Sequence, residues 1–390
     1  MRRIGTTVRG IRTPIIRSND NLEDIVINSI MEASKDENFE LRDRDVIGIT
    51  EAVVGITQKN YITTKQLSTE IKELFPEKVG VVFPILSRNR FSLILEGIAR
   101  GSKEVHVLLS YPSDEVGNDL IDEELIELKG VDPYKDSFEE DEFRKIFGEK
   151  LLHRFTGIDY PEVYKSLGDG NIKIHFSNDP KTILKYTKNV IVADIHTRFK
   201  TKKILEKAGA EKVLRLDEIF NKKSDIHGYN LDYGLLGSNK VTDSKLKLFP
   251  RDCDILTNSI QKKIKEITGK DVEVLVYGDG AFKDPVGKIW ELADPVVSPG
   301  YTEGLKGTPK EIKLKYISEN WDSKGDLQKY VKNIIKKKNT EKHIENNSLG
   351  TTPRQLTDLL GSLCDLTSGS GDKGTPVVLV QGYFDDYTVE

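Results

Sequence analysis

Cysteine is almost missing: Cys253 and Cys364 are the only two in 390 residues. They are far apart and not in a metal-binding spacing, which argues against a disulfide framework and against a zinc site. The six histidines are scattered, with no His-x-x-x-His or His-Glu pairing, so nothing supports a histidine-based metal site. No apolar run approaches the length of a membrane span, and Met1-Arg2-Arg3 is not followed by a signal-peptide core. The expected location is cytoplasmic, with no membrane partner. Charge of one sign is also lacking. A formal net charge of -4 gives no global attraction to nucleic acid. The basic run Lys332 to Lys342 has no interleaved aromatics and reads as a solvated helix end and linker. No internal repeat is visible.

What is present is an ordinary core-forming composition, 37% hydrophobic and 31% charged, in a chain long enough for two to three domains. The N-terminus is rich in arginine. Leu22, Ile25, Val26 and Ile30 share a helical face over about 21–34, with Asp20 as the expected cap. Val46 to Thr50 reads as a buried strand, 63–74 as a helix and Val79 to Ile85 as a second strand. That strand runs into Ser87-Arg88-Asn89-Arg90 ahead of a helix near 91–99. Arg88 and Arg90 are therefore candidates for holding a phosphate or an anionic substrate, with a solvated helix start as the alternative. Asn189 to Asp194, a helix over 200–208 and Lys212 to Arg215 form a βαβ unit, which predicts parallel pairing. Further on, Ile255, Leu256, Ser259, Ile260, Ile264 and Ile267 predict one helix stripe closed by Gly269. The next strand delivers Gly278-Asp279-Gly280. An acid at a strand's carboxyl end suits a metal ion, or equally an Asx-type turn. Asp284, Glu291 and Asp294 follow closely.

The segment 348–387 reads as loop, helix, glycine-rich loop and buried strand. Thr352 and Pro353 predict the helix start, with Leu356, Leu359, Leu360, Leu363 and Leu366 at helical spacing. The loop Ser-Gly-Ser-Gly-Asp-Lys-Gly, 368–374, precedes Pro376 and the run Val377 to Val380. Several backbone N–H groups and the Lys373 charge suit an anion such as phosphate. The loop matches neither the Walker A nor the dinucleotide-binding pattern, and a plain turn is the alternative.

In order along the chain stand Pro14 with Asn19-Asp20-Asn21-Leu22, the run Val46 to Thr50 with Ala52-Val53-Val54, and Gly234 to Asn239. Leu248-Phe249-Pro250-Arg251-Asp252 then leads into a helix ending Thr268-Gly269-Lys270, and Asp279 and Gly371 to Val378 close the series. This order resembles the coenzyme F-420-0:L-glutamate ligase (gamma-glutamyl ligase) family. The resemblance implies an α/β fold with α+β elements, two-lobed and gamma-glutamyl-ligase-like, with an inserted βαβ subdomain. The expected division is 1–100 and 226–390 for the ligase-like parts and 101–225 for the insert. It also implies a homodimer, GTP as co-substrate, and Mg²⁺ or Mn²⁺. The reaction implied joins glutamate to a carboxylated acceptor through an acyl phosphate.

Carried onto this sequence, the resemblance gives Thr13, Pro14, Ile15, Ile16, Asn239, Ser368, Gly369, Ser370, Gly371, Asp372, Lys373, Gly374 and Thr375 as nucleotide contacts. Asp279 is the matching metal ligand, and Asp232, Asp284 and Glu291 are further candidates. Five positions depart from the family pattern. Leu236 stands where it has a metal aspartate, Gly280 where it has a threonine, and Ser370 where it has an acid or amide. Glu51 and Ile56 stand where it has a serine and a lysine. The alternative is a catalytically diverged or non-catalytic homologue that binds a nucleotide or phosphorylated ligand. If Asp279 is a metal ligand, Asp279→Asn abolishes metal-dependent nucleotide binding; unchanged binding in calorimetry removes it from the ligand set.

Overall fold

The computed structural model describes residues 3–87, 90–153, 156–278, 297–309, 312–321, 325–340, 354–369 and 371–386, except the side chains of Arg90, Val297 and 337–340. The described chain divides into two compact units. One takes the residues up to Val54, Asp252 to Gly278, and those from Val297 on; the other takes Gly55 to Arg251. The fold class is α/β, as expected. The division does not follow the expected boundary at residue 100. The strand Lys78–Val82 pairs with both Glu104–Leu109 and Asn189–Val192, so it shares a sheet with the segment read as an insert. Residues 231–251, expected in the ligase-like part 226–390, also belong to this other unit.

The first unit is built on a five-stranded mixed sheet. Its order is Thr7–Ile11, Val377–Gln381, Val46–Thr50, Glu273–Gly278 and Val297–Tyr301. The pair Val46–Thr50 and Glu273–Gly278 is parallel, and the other neighbours are antiparallel. Apolar side chains leave both faces, which is why these strands read as unbroken Val/Ile/Leu runs. Ile47, Ile49, Val274 and Leu379 pack with Val26, Ile30, Ile260 and Ile264 of the helices Leu22–Asp36 and Cys253–Thr268. Val46, Leu275, Tyr277 and Val378 pack with Leu356, Leu360 and Cys364 of the helix Leu356–Ser368. Each such side chain contributes about 1.5–3 kcal/mol by burial. At Gly48 the helix comes so close that a Cβ would lie 2.5 Å from Cys364 Sγ.

Several local expectations change here. Asn21, not Asp20, caps the first helix, accepting from Asp24 N. The C-terminal helix begins at Leu356 after Gln355, and Thr352 and Pro353 lie outside the described residues. Ile255, Ile267 and Leu366 are exposed, because each helix covers the sheet with only one stripe. Gly269 does close its helix, at φ 72°.

The second unit carries a six-stranded sheet in the order Phe138–Glu139, Ile172–Phe176, Glu104–Leu109, Lys78–Val82, Asn189–Val192 and Lys212–Arg215. All pairs but the first are parallel, including the predicted βαβ pair. The first strand in sequence sits in the middle and the chain winds outward both ways, the doubly wound arrangement. The helix Arg90–Gly101 leaves the carboxyl end of that central strand. A small sheet, Ser238–Thr242, Lys245–Leu248 and Tyr61–Thr63, adds Leu246 and Leu248 to the same apolar cluster.

One polar network crosses the large sheet. His106 Nδ1 and His175 Nε2 share a hydrogen bond of 2.9 Å, and Glu104 lies 2.9 Å from His106 Nε2. Glu139 is 2.7 Å from His175 Nδ1, and Tyr186 stacks on both rings. Lys173 and Lys78 hold the Glu104 carboxyl down at about 2. Burial pushes both imidazoles below their usual range, against the pull of Glu104 on one and Glu139 on the other. An unfolded imidazole titrates near 6.5, so as pH falls below that the unfolded chain binds more protons and stability drops. His175→Phe is expected to reduce the loss of urea midpoint between pH 7 and pH 5, because one of the two groups no longer titrates.

Candidate functional site

The glycine-rich loop is held by its flanks. Val377–Gln381 is zipped between two strands, so Gly374, Thr375 and Pro376 enter the sheet at a fixed place. Thr13 N donates to Gly374 O at 3.1 Å, and Thr50 N to Pro376 O at 3.0 Å. Thr375 Oγ1 donates back to Ser368 O at 3.0 Å, closing the loop on itself. The Thr375 side chain rests on Gly10, where a Cβ would stand 3.1 Å away. Residues 10–13, 368–369 and 371–376 thus form one clasp, exposed along 371–374.

Within the clasp, Gly369 has φ +61°, and the Lys373 side chain folds over it. A Cβ there would meet Lys373 Nζ at 2.5 Å. Gly371–Lys373 is a single 3-10 turn. Beneath lies Tyr277, its phenol pushed up by burial and its hydroxyl facing Ser368. Exposed N–H groups beside an ammonium suit an anion. Ile16 packs on the core, while Ile15 is exposed and Pro14 lies beside it at the surface.

The structure gathers Thr13, Ser368, Gly369, Lys373, Gly374 and Thr375 in the first unit. Asn239 and Asp232 belong to the second. Asp232 is exposed, and its N–H donates to Asn230 Oδ1. Leu236 is 6% exposed inside the apolar cluster. A carboxylate does not fit that environment without a partner. Arg88, Asp279, Gly280, Asp284, Glu291, Asp294 and Ser370 lie outside the described residues, as does the side chain of Arg90.

Glu51 gains weight. The strands Val46–Thr50 and Glu273–Gly278 run parallel with Thr50 opposite Tyr277, so both carboxyl ends arrive together. Glu51 is the next residue after one strand, and Asp279 follows the other in the chain. The Glu51 side chain is 3% exposed and packs on Gly278, where a Cβ would lie 2.4 Å from its Cγ. Nearby, burial above all, with Asp254, Glu51 and Asp252 adding, pushes the Cys253 thiol up to about 12, so it is no nucleophile at neutral pH. Sequence reading saw position 51 only as a departure; the parallel strand ends were the signal for an acid there. Carboxylate oxygen is the donor chemistry that Mg²⁺ or Mn²⁺ takes. Among the described residues no group of three or more His, Cys, Asp or Glu forms a ready metal site.

The first unit is thus an α/β arrangement with a glycine loop clasped where it enters the sheet's second strand. The model of the F420-0:gamma-glutamyl ligase family matches residues 10–382, and the chain belongs to that family. It is similar to the coenzyme F420:L-glutamate ligase of Methanocaldococcus jannaschii, 26% identical over 155 residues, covering 38% of this chain and 49% of that protein. The protein of the same name from Methanothermobacter thermautotrophicus is 23% identical over 174 residues, 45% of this chain and 56% of its own. The chain spans about half the length of these curated relatives. No helix among the described residues is long and apolar enough to cross a membrane.

Gly369→Ala forces a Cβ into a left-handed position and against Lys373. It is expected to cost the first unit about 1 kcal/mol or more. Gly371→Ala, with open space around it, is expected to be near neutral. Urea denaturation of the two variants checks the contrast.

Proposed function

We propose that this protein is a GTP-dependent amide ligase that adds glutamate, or a related amine, to a carboxylated acceptor. The family match over residues 10–382 carries the reading. The clasp of Thr13 on Gly374 supports it, because it presents the loop as a phosphate cradle. In the proposed reaction an acceptor carboxylate oxygen attacks the γ-phosphorus, and GDP leaves. The glutamate amine then attacks the acyl carbon, phosphate leaves, the amide forms and a proton is released. Mg²⁺ or Mn²⁺, when bound, neutralises phosphate charge. Glu51 and Asp279 are the residues proposed to hold it.

The roles left to the chain are binding and positioning. Backbone N–H groups of Gly369 and 371–374 and the Lys373 ammonium donate to phosphate oxygens. Thr375, anchored on Ser368, fixes the loop's exit. No protein nucleophile is needed, since both bonds form between bound substrates. A homodimer and a cytoplasmic setting belong to the same reading.

Leu236 favours a second reading, in which the scaffold binds nucleotide with a changed or lost activity. Its apolar burial leaves no carboxylate at a position where the resemblance implies a metal ligand. Calorimetry of GTP with and without Mn²⁺, followed by assay of GDP release with glutamate and carboxylated acceptors, separates the two. Metal-dependent binding with acceptor-dependent turnover supports the ligase. Binding without turnover supports the second reading, and no binding of GTP or ATP removes both.

A further inference from the structure

In the second unit, Phe199 is 52% exposed on the first turn of the helix Arg198–Lys207. A single apolar side chain in water is ordinary, but this one carries two arginines. The guanidinium carbon of Arg198 lies 4.7 Å from its ring centroid, and that of Arg215 lies 4.2 Å away. One acid holds both arginines at an edge. Asp217, only 6% exposed, accepts from Arg198 Nε at 3.1 Å and from Arg215 Nε at 2.8 Å, one on each oxygen. A ring and a buried carboxylate thus fix two guanidinium planes, so less rotamer freedom is left to lose when a ligand is bound.

The pair stands at the carboxyl edge of the six-stranded sheet. Arg215 ends its strand and pairs in register with Val192, the last residue of the parallel neighbour Asn189–Val192. Arg198 opens the helix that follows that neighbour. There the winding reverses. Ile94 and Leu95 of the helix after Lys78–Val82 pack with Val81 and Ile191, while Leu205 of Arg198–Lys207 packs with Val82, Val190 and Val192 on the other face. Open α/β sheets take ligands outside the carboxyl ends of their strands at such a reversal.

The charges around the pair leave donors in hand. Arg198 Nη1 donates to Ile195 O, and Arg215 Nη2 lies 3.6 Å from Glu218. No hydrogen bond among the described residues takes Arg198 Nη2 or Arg215 Nη1. Lys202 faces Glu218 at 2.8 Å. Asp194 also feels Arg198, but burial raises its carboxyl and so disfavours its charge. Lys200 and Lys203 are exposed on the same helix and add to the positive side.

We propose that Arg198 and Arg215 form an oxyanion site of the second unit, and that its ligand is the phosphoryl group of a small molecule. Two fixed forks suit the several oxygens and double charge of a phosphoryl group, whereas one carboxylate needs a single fork. Phe199 and Asp217 hold the forks in place. The inference goes beyond the ligase reading and does not depend on the glycine loop.

The test is hydrogen exchange over residues 195–218 at pH 8, with inorganic phosphate or succinate titrated into the wild-type chain, Arg215→Lys and Phe199→Leu. Phosphate is expected to slow exchange over this segment in the wild-type chain, and succinate to do so only weakly. Arg215→Lys keeps the charge and removes the fork, and is expected to raise the phosphate midpoint about fivefold or more. Phe199→Leu frees the guanidinium planes and is expected to raise the midpoint several-fold while leaving the urea midpoint unchanged. Absence of phosphate protection in the wild-type chain overturns the inference. So does an Arg215→Lys midpoint within twofold of wild type, or an unmoved Phe199→Leu midpoint should Arg215→Lys not fold. Succinate protecting as well as phosphate overturns the choice of a phosphoryl ligand.

Discussion

The first unit depends on the two ladders that Val377–Gln381 makes, one on each edge. A strand so far along the chain occupies the second place in the sheet, between segments that precede it by more than 300 residues. Its register is pinned by side chains as well as by its own hydrogen bonds. Gln381 donates to Asp45 Oδ2 at 2.6 Å and to Glu40 O at 3.0 Å, and accepts from Arg9 at 2.7 Å. Asp45 is buried, which raises its carboxyl, and Gln381 and Arg42 N each give it a hydrogen bond. A slip of one residue would break these bonds and turn Val378 and Val380 to the wrong face. The clasp at 368–376 inherits its position from this strand, so the loop's chemistry and the sheet's register are one constraint.

The second unit solves a different problem with similar means. Its parallel strands lie between apolar layers, and its polar groups appear where the sheet needs them. Asp114 accepts from Leu86 N, Val116 N and Asn118 N, fixing the chain after two neighbouring strands. Glu115 accepts from His196 N at 3.1 Å and also from Ile195 N. Burial raises Glu115 to about 7 despite those bonds. These carboxylates are saturated by backbone donors, which marks them as architecture.

The sequence discloses elements formed by local chemistry. Val46–Thr50 is legible because five residues of a β-branched and glycine run follow Asp45, and Gly269 because a left-handed helix end needs glycine. Asn21 against Asp20 is a one-residue error of the kind that adjacent capping residues invite. Ile172–Phe176 was not read as a strand, since Lys173 and His175 interrupt its apolar pattern and are explained only by Glu104 and Glu139 across the sheet. The boundary at 100 failed for the same reason: the pairing of Lys78–Val82 with Asn189–Val192 is set by contacts a hundred residues apart. At the site, the glycine loop stood out as a motif, while Thr13 entered only through the family resemblance. The burial of Glu51 was not legible, because it depends on Gly278 packing against it.

The first unit is discontinuous, with Gly55 to Arg251 looped out between its parts. Synthesis from the N-terminus completes that looped segment before the residues of Cys253–Thr268, Glu273–Gly278 and Val377–Gln381 exist. The intervening unit can therefore fold first. The clasp around the glycine loop can form only once the strand Val377–Gln381 has been made. A chain cut short before residue 377 lacks the strand on which that clasp and the register of the first sheet depend.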